Sequence, residues 1–142
     1  MNYLEKPLRG DGPPLATNTP LEGSAAHKVA SVGAIIDHRI YTIALRKMPE
    51  FLEVFNRLAM PVLLETLGHP VGFYTSLVGA QNQFIHLWAY DDLADYERRC
   101  KARDAHPDFS AYLKASCHLI TAQETRLIRA VGMSASQALA NG

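Results

Sequence analysis

The feature that most restricts the fold is a strand-length segment, residues 83–90, in which both sets of alternating side chains are largely apolar or aromatic. Side chains of a β-strand point alternately to the two faces of a sheet. The two faces would carry Phe84, His86, Trp88 and Tyr90 on one side and Gln83, Ile85, Leu87 and Ala89 on the other. Such a strand needs cover on both sides, which predicts a sheet with helices on one face and a second layer on the other.

The remaining elements follow from hydrophobic periodicity and turn residues on either side of this segment. In chain order, the sequence predicts a strand at 35–43, a helix at 48–67 and strands at 71–78 and 83–90. A helix from Asp91 or Asp92 to about Ala105, a helical turn at 108–116 and a strand at 119–128 follow. The helical turn should direct Phe109, Tyr112 and Leu113 inward. Pro61 should bend the first helix, because proline removes one helical hydrogen bond. The order β-α-β-β-α-β predicts the α+β class and the ferredoxin-like topology, with a four-stranded antiparallel sheet.

Length and composition favour a single folded domain with a segment on either side. A chain of 142 residues, of which 48% are hydrophobic, is long enough for one core and short for two. Residues 1–33 mix Pro, Gly, Ser, Thr and Asn without a period, which predicts an extended N-terminal arm without a core of its own. We expect the domain to span residues 34–130 and a C-terminal tail to span residues 131–142.

The charge balance and the cysteines limit the partners and the compartment. Lys plus Arg number 14, as do Asp plus Glu, so no long-range positive field exists to attract nucleic acid or an anionic membrane. Cys100 and Cys117 are too few for a disulfide framework, which favours a reducing cytoplasm. No window approaches the roughly 18 consecutive apolar residues of a membrane span, so we expect a soluble protein.

The spacing of chemically active residues predicts no metal and no cofactor. The candidate metal ligands His69, His86, His106 and His118 fall on different predicted elements without paired spacing. No G-x-G-x-x-G, P-loop or G-x-S-x-G segment occurs, which argues against dinucleotide binding, nucleotide hydrolysis and a serine-hydrolase site. Acidic residues interrupt a basic run in the second helix, so we expect a solvated face there; the run consists of Arg98, Arg99, Lys101 and Arg103.

The two faces of the 83–90 strand suggest how the sheet is covered. Aliphatic side chains suit the helices, so we expect Ile85 and Leu87 to face them. The aromatic face then packs against the sheet of a twofold-related copy, which predicts a homodimer. A buried face that carries His86 and Trp88 would enclose a pocket whose polar groups can form hydrogen bonds with a small molecule.

Five motifs, taken together and in order, carry a family resemblance. They are Asp37-His38-Arg39-Ile40-Tyr41-Thr42, Lys47-Met48-Pro49-Glu50-Phe51-Leu52, Val71-Gly72-Phe73-Tyr74-Thr75, His86-Leu87-Trp88-Ala89-Tyr90-Asp91 and a closing Gln123-Glu124. The chain resembles the NIPSNAP family over roughly residues 35–129. The resemblance implies a dimeric α/β barrel related in fold to small cofactor-free monooxygenases, and it implies no agreed chemistry. One departure is Leu45-Arg46, where the family commonly has a Pro-Gly turn, so this corner must be built differently.

Two candidate site residues lie on the first strand and one on the third, and each has a structural alternative. Arg39 and Tyr41 share one side of their strand and can hold an anionic or carbonyl-bearing ligand. Alternatively, Arg39 pairs with a buried acid such as Asp37 or Glu124. His86 is a candidate general base, and its structural alternative is a hydrogen-bonded core histidine.

The leading functional hypothesis is a homodimer that binds a small molecule in a pocket between the sheet and its partner. The pocket would be lined by Arg39, Tyr41, Tyr74, His86 and Trp88, although Tyr74 and Trp88 fit barrel packing better than an aromatic cage. A second hypothesis is a cofactor-free monooxygenase-like or isomerase-like enzyme, in which His86 abstracts a proton and Arg39 stabilises the enolate. A third is a non-catalytic protein-interaction module, which eukaryotic members of the family suggest.

Overall fold

The computed structural model describes residues 30–133, and its elements follow the predicted order. They are β1 (Ile35–Ile43), α1 (Met48–Val54), a π-helical turn (Phe55–Ala59), α2 (Met60–Thr66), β2 (Pro70–Thr75), β3 (Gln83–Tyr90), α3 (Leu93–Ala105), α4 (Phe109–Ser116) and β4 (Ile120–Arg129). Most of the predicted arm and tail, residues 1–29 and 134–142, lies outside the described residues, so the division of the chain into arm, domain and tail stays a prediction.

The four strands form one antiparallel sheet in the order β2-β3-β1-β4. This order, together with the β-α-β-β-α-β succession, confirms the α+β ferredoxin-like fold. The strands β1 and β3 occupy the centre and pair from Ile35 opposite Tyr90 to Thr42 opposite Gln83. No helix within residues 30–133 is long and apolar enough to cross a membrane.

The first predicted helix is interrupted by the π-helical turn rather than merely bent. Within this turn the backbone N–H of Met60 donates to the carbonyl of Phe55, a step of five residues instead of four. Pro61 follows directly and has no backbone N–H, so it cannot donate the helical hydrogen bond to the carbonyl four residues earlier. The π-helical turn therefore lies where a regular α-helix would lose one hydrogen bond. The ring of Phe55 is buried in this turn and becomes part of the core.

The hairpin between β2 and β3 confirms the prediction that these strands pair, but β2 ends three residues early. Ser76 closes the connection, because its N–H donates to the carbonyl of Gln83 and its hydroxyl accepts from the N–H of Gln83, each over 3.0 Å. Leu77 and Val78, predicted in the strand, lie in the loop and are 90% exposed. Leu113, predicted to face inward from α4, is 51% exposed.

The prediction that the aliphatic face of β3 packs against the helices is wrong. Phe84 contacts Phe51 of α1 and Phe55 of the π-helical turn, with ring centroids 5.1 and 4.9 Å apart. The side chains on the aromatic face, Phe84, His86, Trp88 and Tyr90, are buried, whereas Ile85, Leu87 and Ala89 point the other way and are only partly buried. The helices present aromatic rings of their own, and large rings gain more from packing on one another than small aliphatic groups do.

Candidate functional site

The pairing of β1 with β3 brings four of the five sequence-predicted site residues onto one side of the sheet. Arg39 lies opposite His86, Tyr41 opposite Phe84, and Asp37 opposite Trp88. Residues directly opposite each other in an antiparallel pair share a face. The ring of Tyr41 contacts that of His86 at a centroid distance of 4.8 Å. Arg39, Tyr41, His86 and Trp88 therefore face the helices of their own protomer, not the open side of the sheet.

Tyr74, the fifth predicted site residue, lies on the other side of the sheet. It pairs with Ile85, while its neighbour Phe73 pairs with His86 and stacks on that ring at 6.4 Å. The Tyr74 ring folds over Gly72, where a Cβ would approach the phenol oxygen to 2.5 Å. Tyr74 is 51% exposed and cannot line one pocket with the other four residues.

Arg39 takes the structural role that the sequence left open as an alternative. Its Nε donates to Oδ2 of Asp37 over 2.8 Å, and Asp37 is fully buried. Burial raises the pKa of Asp37, and this effect is larger than the opposing effect of the positive charge on Arg39, which lowers the pKa. Burial also opposes the charge on Arg39, but Asp37 and then Tyr41 outweigh it, so the pKa of Arg39 is raised. The guanidinium thus remains a fixed positive charge inside the fold.

His86 is held as a neutral hydrogen-bond donor. Trp88 donates its indole N–H to Nδ1 of His86 over 2.8 Å, which places the imidazole proton on Nε2. Burial, with Arg39 and then Arg103 adding to it, lowers the pKa of His86 to about 3. The imidazole is consequently uncharged near neutral pH, and its remaining nitrogen carries a proton. This geometry suits donation to a ligand oxygen better than the proton abstraction expected of a general base.

Four buried polar atoms in the layer between sheet and helices have no hydrogen-bond partner among the described residues. They are Nε2 of His86, Oδ1 of Asp37 and the hydroxyls of Tyr90 and Tyr112. An unpaired buried polar group costs about 1 to 3 kcal/mol, and most buried polar groups in proteins are paired. Because four such atoms lie in one layer, this layer lowers the stability of the fold, and functional sites commonly have such a destabilising arrangement.

An apolar cleft opens beside the π-helical turn, next to His86. It has a volume of about 240 Å³ and is lined by Leu52, Phe55, Asn56, Met60, Phe73 and Phe84. Three of the rings that line it contact the imidazole, with centroid distances to His86 of 5.5 Å for Phe55, 6.4 Å for Phe73 and 5.3 Å for Phe84. Short π-helical segments are frequent at functional sites. The cleft and the buried imidazole thus lie on either side of shared aromatic rings.

Three residues of this layer were not proposed as site residues from the sequence. Tyr90 shares the alternating face of β3 with His86, so the period of two already placed it there. Tyr112 was predicted to face inward, but its inward position did not reveal that its hydroxyl lacks a partner. Arg103 was assigned to a solvated face, although it follows Cys100 by three residues and Tyr96 by seven, a spacing that puts all three on one side of a helix.

No group of three or more His, Cys, Asp or Glu side chains that could hold a metal ion occurs within residues 30–133.

Comparison with known proteins gives a consistent picture. The NIPSNAP family model matches residues 36–135. No curated protein sequence matches the chain.

Solved structures similar to the chain include NIPSNAP family proteins from bacteria. A NIPSNAP family protein from Agrobacterium tumefaciens is 25% identical with a TM-score of 0.69, over 75% of this chain and 93% of that one. An uncharacterised NIPSNAP-like domain protein from Burkholderia xenovorans is 28% identical with a TM-score of 0.66, over 73% and 89%. A Caulobacter crescentus protein, provisionally described as an antibiotic biosynthesis monooxygenase, is 18% identical with a TM-score of 0.53, over 71% and 92%, which shows a shared fold alone.

Proposed function

The chain belongs to the NIPSNAP family, and from that membership we propose that it is a homodimer that binds a small organic molecule between the sheet and the helices of each protomer. The observation that carries the proposal is the unpaired Nε2–H of buried His86 behind an apolar cleft. The ligand's apolar body occupies the cleft, and an oxygen acceptor reaches the imidazole. Arg39, Tyr41 and Trp88 position this donor, whereas Tyr74 has no part in this pocket.

The cleft favours a flat, ring-bearing ligand of modest size. Phe73 lies nearly parallel to Phe84, at 13° and a centroid distance of 6.0 Å, while Phe55 stands edge-on to Phe84 at 63°. Such walls accept an aromatic ring face-on from one side and edge-on from the other. Most ligand pockets combine apolar walls with a few polar groups that fix orientation, and His86 supplies the polar group here.

The homodimer rests on the open face of the sheet. Ile40 lies beside Ile85, and His38 lies beside Leu87, on the face opposite the helices. These side chains are only partly buried in one protomer. This face also carries Glu124 and Arg126 of β4, which pair with each other opposite Ile40 and His38, so a second layer would cover a mixed apolar and charged surface. A twofold-related copy presents the same surface to it. A formal net charge of zero adds no electrostatic opposition to this pairing.

Two probes of the same shape test the pocket. Acetophenone carries a carbonyl acceptor on an aromatic ring, and ethylbenzene lacks the acceptor. In a protein-observed NMR titration, we expect acetophenone to bind about fivefold more tightly, the equivalent of one net hydrogen bond, and to shift signals of Phe55 and Phe73. His86→Leu should abolish the preference, His86→Gln should retain part of it, and the exposed-site control His69→Leu should leave it unchanged. Absence of binding by both probes would overturn the proposal.

A further inference from the structure

Two largely buried arginine side chains approach the same layer, one from β1 and one from α3. The side chains of Arg39 and Arg103 are only 14% and 12% exposed. The guanidinium of Arg103 lies over the ring of Phe109, 5.4 Å from its centroid, and Phe109 contacts Tyr112 at 5.7 Å. Arg103 therefore packs against the first residue of α4, away from open solvent.

Two of the other three basic residues of α3 behave differently from Arg103. Arg98 and Lys101 are 70% and 75% exposed and pair with acidic residues on their own helix. Arg103 pairs with its neighbour Asp104 over 2.8 Å, but that carboxylate is 60% exposed, so water weakens its effect on the interior. Arg103 and Arg99, which is 31% exposed and lies over the ring of Tyr90, are thus the cations on the inner side of α3, whereas Arg98 and Lys101 face solvent.

Cations outnumber anions inside this layer. The guanidiniums of Arg39 and Arg103 approach it, whereas the one fully buried carboxylate among the described residues of this layer is Asp37, which is already bonded to Arg39. Charges interact more strongly in a protein interior than in water. Both arginines lower the pKa of His86, after the larger effect of burial, so both act on the donor that the ligand would meet.

The unpaired groups at the cleft end of the layer are donors or can donate. The rings of His86 and Tyr112 both contact Phe55, at centroid distances of 5.5 and 5.8 Å. Nε2 of His86 carries a proton, and the phenol of Tyr112 stays protonated because burial raises its pKa. Two donors whose rings contact the same lining residue, Phe55, can pair with the two oxygens of a planar carboxylate.

We infer that the ligand is an aromatic carboxylate whose ring occupies the cleft, whose carboxylate accepts from His86 and Tyr112, and whose negative charge is selected by Arg103. This inference rests on the proposed function, because it assigns a chemical class to the same pocket. A phosphate monoester fits less well, since its additional oxygens would require more donors than these two residues supply.

Phenylacetate and phenylacetamide test the inference, because they have nearly the same shape and differ in charge. In NMR titrations of the full chain, phenylacetate should bind about tenfold more tightly than phenylacetamide, because Arg103 attracts the negative charge, whereas both compounds offer an oxygen acceptor to the donors. Equal affinities for the two compounds would overturn the inference. If acetophenone still bound, the pocket would stand and only its anion preference would fall.

Variants of α3 assign the selectivity to Arg103. Arg103→Met keeps a long side chain against Phe109 and should reduce the tenfold preference to near one, whereas Arg103→Lys should keep most of it. Lys101→Met is the matched control, because it removes one positive charge from the same helix at an exposed position. A preference that survives in Arg103→Met, or that falls equally in Lys101→Met, would contradict the assignment. If Arg103→Met does not fold, Arg103→Gln, which also removes the charge but keeps a polar side chain, makes the same comparison, and a preference that survives in it would contradict the assignment.

Discussion

Trp88 donates its indole N–H to Nδ1 of His86, and the two side chains are among the most buried of the described residues, at 0% and 2% exposure. This bond decides which imidazole nitrogen carries the proton, because Nδ1 can accept only when it is unprotonated. The proton on Nε2 then has no acceptor within residues 30–133. The sequence suggested His86 as a general base, but in the structure it is a hydrogen-bond donor, because Trp88 on the same strand occupies Nδ1.

The stability of the protein should fall as the pH drops below about 6.5, and His86 should account for part of the fall. The pKa of His86 is lowered to about 3 in the folded chain, mainly by burial. Between pH 6.5 and 3 the unfolded chain binds a proton at this imidazole and the folded chain does not. The contribution of His86 to the free energy of unfolding is therefore complete above pH 6.5 and decreases on acidification by roughly 1 kcal/mol per pH unit.

Urea unfolding at pH 7, 6 and 5 measures this effect for the wild type and for His86→Gln, which removes the imidazole and leaves an acceptor for Trp88. The free energy of unfolding should drop more steeply in the wild type. Two parallel pH profiles, or an NMR titration of the His86 ring near pH 6, would contradict the assignment.

Removing the hydroxyl of Tyr90 should not weaken the fold. Burial raises the pKa of Tyr90, and its OH has no partner among the described residues. Tyr90→Phe removes a desolvated polar group and should raise the free energy of unfolding by about 1 kcal/mol. Tyr74→Phe, at a half-exposed ring, is the control and should change stability by less than about 0.5 kcal/mol. A clear loss in chemical denaturation of Tyr90→Phe would mean that the hydroxyl has a partner after all.

The order of elements could be predicted from the sequence because its signals are local. Asp92 illustrates this, since its side chain accepts from the N–H of Asp95 and begins α3 where a capping residue was expected. Gly68, at φ +87°, follows the last turn of α2, where glycine is the favoured residue. Such signals depend on a few neighbouring residues and not on the packing of distant elements.

The direction in which β3 faces could not be predicted in the same way. A period of two shows that Phe84 and His86 share a face, but it does not show which layer covers that face. The answer depends on Phe51 and Phe55, which come from another part of the chain and offer rings of matching size. Because the aromatic face was expected to meet a second copy, the sequence predicted a pocket at a dimer interface, whereas four of the five candidate residues face the helices.

The open face of the sheet should hold the two protomers together. Leu87→Glu places a carboxylate on that face and should convert a dimer of the 15.7 kDa chain into a monomer, because a buried unpaired charge is costly. Leu77→Glu makes the same chemical change in the hairpin loop, where the side chain is 90% exposed, and should remain dimeric. Size-exclusion chromatography with light scattering gives the masses. A monomeric wild type, or dissociation by both variants, would count against this interface.

The corner after β1 should become more stable with glycine at position 46. Arg46 has φ +64°, a left-handed conformation that costs a non-glycine residue about 1 kcal/mol or more. Arg46→Gly relieves this cost but adds flexibility to the unfolded chain, so we expect a net gain of about 0.5 kcal/mol and a melting temperature higher by roughly 1 to 3 °C. Leu45→Gly, next to it at an exposed position without a positive φ, adds the flexibility alone and should lower the melting temperature. Calorimetry of the two variants separates the effects, and shifts of the same sign in both would show that the backbone conformation of Arg46 is not the cause.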